Sequence, residues 1–531
     1  MVDLIIRNGQ VIDGTGRPPI QADVLVKDGT IVGIGTNGDI AARETYDAAG
    51  RHVCPGFIDI HSHSDFSLLV NRQAESGIRQ GITTLVTGNC GHGPAPAVNQ
   101  KLAKQVTIGF SESFDTEFTW ETFAEYIDAL FTPGLSINVA PLVPHGSIRI
   151  GVMGYEARSP TQSELNLMKS HVEEAMSAGA AGFSTGLEYS PGQHATEDEL
   201  VTLAEVAARH NGIYASHIRN RAEGFAAAVK EALNVARKAG LPAQLSHFAP
   251  RPYANDGFDR ILEMVYNARD EEGLEIGIDT FPDTWGPGPV VTLLPAWVYE
   301  DSHDQVCERL SSNEVLETCR KELKDPTNYL LRLGGLESFY LTCSKCYPDL
   351  VGKNFVEIAE IMGVDETEAI FRLLLADGQD YYNVMLRHVY ATSDDLDTLL
   401  SQPICCLESD GVTAATYGAL KDYVFNRASY GYTIRFLREF ILEREMFTLE
   451  EGIRKMTSLP ADQARLSDRG RLQEGLAADI VVLDLEAAAD NSTDTQPGAY
   501  PSGVELVVVN GVTVLEGNDH TGHLPGRRLP T

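Results

Sequence analysis

Two histidines, His61 and His63, follow the apolar run Gly56-Phe-Ile-Asp-Ile and give the chain its clearest chemical signal. Alternate side chains of a β-strand share a face, so both imidazoles are expected to point to one place at the strand's carboxyl end. Neutral imidazole is the commonest metal ligand, and zinc is the usual partner of nitrogen donors at neutral pH. A His-X-His pair also arises by chance, so the reading needs further ligands, and later strand ends supply them. Cys90 follows Leu85-Val-Thr-Gly-Asn, His217 closes Tyr214-Ala-Ser-His and His247 closes Gln244-Leu-Ser-His. A single buried His or Cys is usually structural; together these residues offer the sulfur and imidazole set that zinc prefers. Asp410, in Leu407-Glu-Ser-Asp-Gly, is a candidate acid/base beside a zinc-activated water, although Asp-Gly is also a frequent turn. Glu188, in Ser184-Thr-Gly-Leu-Glu-Tyr, reads either as a bridge to a second metal or as a surface carboxylate.

These residues need strands to deliver them. Strand-like runs at 83–88, 181–186, 213–217, 242–247 and 275–280 alternate with helical stretches, at a spacing of roughly 30 residues, the length of one βα unit. One helix starts at Thr196, with Glu199 three residues on to complete a capping box. Another runs from about Ala222 to Gly240, where glycine can end it. A distorted (β/α)8 barrel of the TIM type, with its chemistry at the carboxyl ends of the strands, is the leading fold; an open doubly wound sheet is second. Between 285 and 385 the alternation weakens and Pro287, Pro289 and Pro295 interrupt it, which marks an insertion or lid, or an irregular pair of βα units. Both chain ends carry hairpin signals, at Asn8-Gly9, Asp28-Gly29 and Asn510-Gly511. Neither end has enough strands for a stable sheet, so residues 1–55 and 470–531 are expected to form one small β-sandwich domain beside a barrel of residues 56–469.

The 531 residues hold 42 Lys+Arg against 75 Asp+Glu, a formal charge of −33. That balance argues against nucleic acid and anionic membrane surfaces as partners. No apolar run approaches the roughly 20 residues that span a bilayer, and the start lacks the features of a signal peptide. Eight cysteines in so long a chain do not make a disulfide framework, so a cytoplasmic protein is expected, with a homo-oligomer left open. Cys343-X-X-Cys346 lacks a second pair, Cys405-Cys406 lies in an apolar run, and no phosphate-binding glycine motif is present.

Gly56-Phe-Ile-Asp-Ile-His-Ser-His resembles the amidohydrolase superfamily, and the chain is similar specifically to its N-acyl-D-amino-acid deacylase (D-aminoacylase) branch. Shared blocks are Thr87-Gly-Asn-Cys-Gly, Gly182-Phe-Ser-Thr-Gly-Leu-Glu-Tyr, Ser216-His217, Ser246-His247, Ser409-Asp-Gly, Asp468-Arg-Gly-Arg-Leu and Tyr500-Pro-Ser-Gly. The resemblance implies a tight zinc on Cys90, His217 and His247, and a second, weaker metal position at His61 and His63 with the cysteine between. It makes Asp410 the catalytic acid/base. Relatives outside the branch use a carboxylated lysine as bridge; the 182–189 segment has no lysine, which favours Cys90 or Glu188 there.

The implied reaction is hydrolysis of a non-peptide amide bond of a small molecule, an N-acyl (D-)amino acid or related amide. Zinc-activated hydroxide attacks the carbonyl, His145 is a candidate donor to the oxyanion, and Asp410 protonates the leaving nitrogen. Substrate recognition departs from the branch. Its usual lysine is replaced near His247 by Arg251, and its Asp-X-Tyr-Pro-Tyr block reads Asp279-Thr-Phe-Pro-Asp, so Phe281 brings no hydroxyl. Tyr189 and Arg427 are further candidates for a carboxylate, while Phe248, Phe281 and Trp285 suit a larger apolar amide. The enzymatic alternative is a cyclic amide, carbamate or lactone on the same centre. A non-catalytic binding protein would be expected to have lost ligands that this chain retains.

Overall fold

The computed structural model describes residues 1–530 apart from 37, 39, 112, 113, 115, 253, 255, 256, 326, 327, 422, 494 and 495, and apart from the side chain of residue 329. Eight parallel strands lie side by side in chain order: β1 (Phe57–Asp59), β2 (Ile82–Thr87), β3 (Asn138–Pro144), β4 (Gly182–Gly186), β5 (Ile213–His217), β6 (Ala243–Leu245), β7 (Ile276–Thr280) and β8 (Cys405–Leu407). All eight are wholly buried, as expected of strands covered on both faces. The first and last are joined beyond their ends, by a bridge between Ser62 and Gly411. Asp410 N donates to His61 O at 3.1 Å and His63 N to Gly411 O at 2.7 Å. The distorted TIM barrel therefore closes at its carboxyl end, through the residues expected to carry the chemistry.

Helices Gln162–Ser177, Glu197–Arg209, Phe225–Ala239 and Phe258–Asp270 fill the intervals between strands. Helix Phe225–Ala239 buries Phe225, Ala228, Val229, Ala232, Leu233 and Ala236, one stripe at helical spacing. Full burial of each large member is worth roughly 1.5–3 kcal/mol. The helix starts later than the expected Ala222 because Asn220 Oδ1 accepts from Ala222 N and Gly224 N and holds that stretch as a turn. It ends at Gly240, φ +71°. Thr196 does cap the preceding helix, accepting from Glu199 N at 3.3 Å. The expected capping box is only half formed, however, because the Glu199 carboxylate turns inward to Arg149.

The two chain ends share one nine-stranded sheet, joined where His52–Pro55 pairs antiparallel with Ile480–Leu483. The sheet curls around a core that includes Val24, Val26, Ile480 and Val508, so that two of its turns meet. Gly29 and Gly511, at φ +77° and +81°, abut so closely that a Cβ on Gly511 would lie 2.7 Å from Gly29 Cα. Only glycine suits both the backbone and the contact. Asp479 ties this sheet to the barrel, accepting from Asn510 N at 2.7 Å, Asn138 Nδ2 at 3.0 Å and the buried Arg469 guanidinium.

Trp285–Pro289, Tyr340–Cys343 and Met385–Val389 form a separate antiparallel sheet with the last strand in the middle. This part of the chain has its own apolar core, including Val290, Leu293, Phe355, Ile370 and Leu374. Among the described residues no helix is long and apolar enough to cross a membrane.

Candidate metal centre

Every strand of the barrel hands its chain to one face. His61 and His63 lie past the end of β1 and not within it, in the segment that bridges to Gly411. Cys90 sits in the one-turn helix Asn89–Gly91 after β2. That turn packs hard against β4: a Cβ on Gly186 would fall 2.1 Å from Cys90 O, so glycine there lets the thiol reach the barrel axis. His217 ends β5, His247 follows β6 and Asp410 follows β8. Three of these residues hold positive φ without being glycine: Cys90 at +54°, His247 at +34° and Asp410 at +41°. Such backbone is costly and concentrates where a site fixes side-chain direction.

The thiol of Cys90 is the hub. Its Sγ lies 3.3 Å from His61 Nε2, 3.5 Å from His247 Nε2 and 3.7 Å from His217 Nδ1. Asp410 Oδ1 faces His63 Nε2 at 3.2 Å and His61 Nε2 at 3.6 Å. Two overlapping donor groups result, His61–Cys90–His247 and His61–His63–Asp410, each with its ligand atoms within 4.8 Å of one another.

Burial dominates the charges. It pushes His61 down to about 3 and His247 well below its usual range, the latter helped by Arg221. These two imidazoles favour the neutral form, the one that binds metal. Burial, reinforced by Asp410, drives the Cys90 thiol well up, so only a cation can hold a thiolate there. For Asp410 burial acts upward, but His63 and His61 outweigh it and keep the carboxylate ionised. This set of one sulfur and imidazole nitrogens fits zinc.

A second layer fixes the first. His247 N donates to Asp279 Oδ1 at 2.6 Å, and His247 O accepts from Arg221 Nη1 at 2.9 Å. Asp59 accepts from His61 N and Ser409 N. Asn426 Nδ2 donates to Asp410 O at 2.8 Å. Glu408 is fully buried, and burial, with Asp410 and Asp279 nearby, pushes its carboxyl well up.

The centre opens into a cavity of about 700 Å³ that reaches from His63, Cys90, His217, His247 and Asp410 to the separate antiparallel sheet. Glu188, Tyr189, Arg251 and Phe281 line it. Glu188 contacts His217 Nε2 at 2.7 Å, on the ring edge away from Cys90, and is outside both donor groups. Four expected substrate contacts lie elsewhere. His145 is buried at the start of its helix with Nε2 2.9 Å from Glu199, so it cannot face a carbonyl in the cavity. Arg427 pairs with Asp490 at 3.0 Å and, with Trp285, lines a smaller space of about 210 Å³. Trp285 stacks under the Arg387 guanidinium at 4.6 Å. Phe248 packs between Phe225 and Phe258 in the barrel wall.

Other residues take those places. Arg221, four residues after His217, lines the cavity with its Nε buried and without a hydrogen bond. His388 accepts from Arg251 Nη1 at 3.4 Å. Tyr390 packs against Phe281 with ring centroids 4.3 Å apart, and its hydroxyl accepts from Ala249 N at 3.3 Å. Only Arg221 had a signal in the sequence, its closeness to His217.

The sequence pattern of the amidohydrolase family matches residues 44–282 and 351–515. The N-acyl-D-glutamate deacylase of Alcaligenes xylosoxydans xylosoxydans is 33% identical over 99% of this chain and 96% of its own length. The D-aminoacylase of the same organism is 30% identical over 99% and 97%. A crystal structure of N-acyl-D-glutamate deacylase from Bordetella bronchiseptica, complexed with zinc and a phosphonate mimic of the tetrahedral intermediate, superposes with a TM-score of 0.81 at 31% identity, covering both chains fully.

Proposed function

Because the chain belongs to the amidohydrolase family, we propose that it is a zinc-dependent deacylase that hydrolyses the amide bond of N-acyl-D-amino acids. The observation that carries this reading is the Cys90 sulfur set among three imidazole nitrogens with the Asp410 carboxylate beside them. Cys90, His217 and His247 would hold the tighter ion, and His61 and His63, sharing the sulfur, a weaker one. A zinc ion there would supply Lewis acidity, polarising the amide carbonyl and acidifying a water.

The chain's own groups do the rest. Asp410, ionised before substrate arrives, takes the proton of the attacking water and returns it to the leaving nitrogen. The Tyr189 hydroxyl, 3.0 Å from His217 Nδ1 and facing the cavity, is the donor available to a developing oxyanion. Arg221 and Arg251 hold the amino-acid carboxylate, a local capture that a chain of net charge −33 needs because its long-range field repels anions. Leu293, Leu294, Phe339, Met385 and Phe425 give the far wall an apolar face for the acyl group. The reading goes with a cytoplasmic protein, which eight unpaired cysteines suit. It also goes with a β domain of residues 1–55 and 470–531 and a barrel of 56–469 roofed by 285–385.

A panel of N-acyl D- and L-amino acids, their carboxamides and lactones tests it. Zinc-loaded protein is expected to release amino acid from the D series with a free carboxylate and to fail on the carboxamides. Equal turnover of carboxamides, or of lactones alone, would replace the substrate class.

A further inference from the structure

The group that Glu188 serves is His217. Its Oε2 lies 2.7 Å from His217 Nε2, while the opposite ring nitrogen, Nδ1, faces Cys90 Sγ at 3.7 Å and the Tyr189 hydroxyl at 3.0 Å. Beside the Arg251 guanidinium the Glu188 carboxylate accepts from His217, so Nε2 carries the ring proton and Nδ1 keeps its lone pair toward the sulfur. Arg251 Nη2 stands 3.6 Å from the same Oε2, and its Nη1 donates to His388 Nε2, so both the carboxylate and its counter-ion are held in place.

We infer that Glu188 is a positioning residue, which locks His217 in the tautomer and orientation that present Nδ1 to a metal at Cys90, and is not itself a ligand. Resting on the zinc reading above, this removes the carboxylate bridge as a role for Glu188 and leaves Cys90 as the shared donor. A carboxylate accepting the outer N–H of a metal-binding imidazole raises its basicity and fixes its ring, and losing such a partner weakens metal binding about 10–100-fold.

The test is cobalt(II) in place of zinc, followed by its visible spectrum and by competition with a chromogenic chelator. Glu188→Gln is expected to keep the d–d bands and the thiolate-to-cobalt charge-transfer band of the wild type, because the ligands are unchanged, while cobalt affinity falls about 10–100-fold. Glu188→Gln/Arg251→Met also removes the guanidinium that faced the carboxylate, and is expected to show the same spectrum and loss if the single variant folds poorly. Unchanged affinity, or d–d bands that shift to a different coordination number, would overturn the inference. A wild type that binds neither cobalt nor zinc would instead overturn the zinc reading itself, so the two failures are distinct.

Discussion

Oδ1 of Asp410 lies 3.2 Å from Nε2 of His63, joining the end of the last barrel strand to the end of the first. The backbones meet at the same point, through Asp410 N to His61 O and His63 N to Gly411 O. The contact that closes the barrel therefore also sets the carboxylate against the His61 and His63 imidazoles. Fold closure and the geometry of the candidate site are one arrangement.

Replacing Asp410 by asparagine keeps its size and removes its proton-accepting capacity. The zinc content of Asp410→Asn, measured by atomic emission, is expected to stay near wild type while kcat falls about 10²–10⁴-fold, the worth of a positioned acid/base. Retained turnover would take Asp410 out of the proton path.

Cys90 is the atom around which three imidazoles are arranged. Cys90→Ala leaves them without a common partner, so the variant is expected to emerge from dialysis with no tightly held zinc and no measurable turnover. A variant that keeps its full metal complement would move the centre elsewhere.

Burial pushes the Asp59 carboxyl up from 3.8 to about 7. Between those values the metal-free native protein holds a proton that the unfolded chain has released, so stability falls as pH rises through the window. Asp59→Asn keeps an oxygen for the His61 and Ser409 N–H groups and removes the ionisation. In metal-free protein, the melting temperature of this variant should exceed that of the wild type by a margin that grows from pH 4 to 7 and then levels. A margin independent of pH would contradict the assignment.

Asp479 binds Arg469, Asn138 and Asn510 where the terminal sheet meets the barrel. Asp479→Ala leaves Arg469 with Asp468 alone and takes the acceptor from the buried Asn138 Nδ2 and Asn510 N, and should cost about 1–3 kcal/mol in chemical denaturation. A loss within the range of a surface substitution would mean that the two parts are held by apolar contact alone.

The strands and their chemistry were legible because each apolar run ends on the residue it delivers, as in Ser216-His217 and Ser246-His247. The paired termini were legible from hairpin turns too few for two sheets. Direction was not. His145 has the composition of an oxyanion donor, but the carboxylate of Glu199, on helix Glu197–Arg209, claims it. Glu188 reads from sequence as a metal bridge or a surface carboxylate, and its place against the outer nitrogen of His217 is visible only in the fold. The substrate wall was least visible, because His388 and Tyr390 come from the separate antiparallel sheet and the chain just after it, where no periodicity ties them to the barrel. Tyr390 packs on Phe281 from a distant segment, a contact that only packing reveals.

The central claim, amide hydrolysis that depends on zinc at Cys90 and its histidines, is tested most directly by titrating zinc into chelator-stripped protein while following release of free amino acid from an N-acyl-D-amino acid. Activity is expected to be absent at the start and to return in proportion to zinc until the tight site is filled. Stripped protein that hydrolyses the substrate as fast as the reloaded enzyme would contradict it.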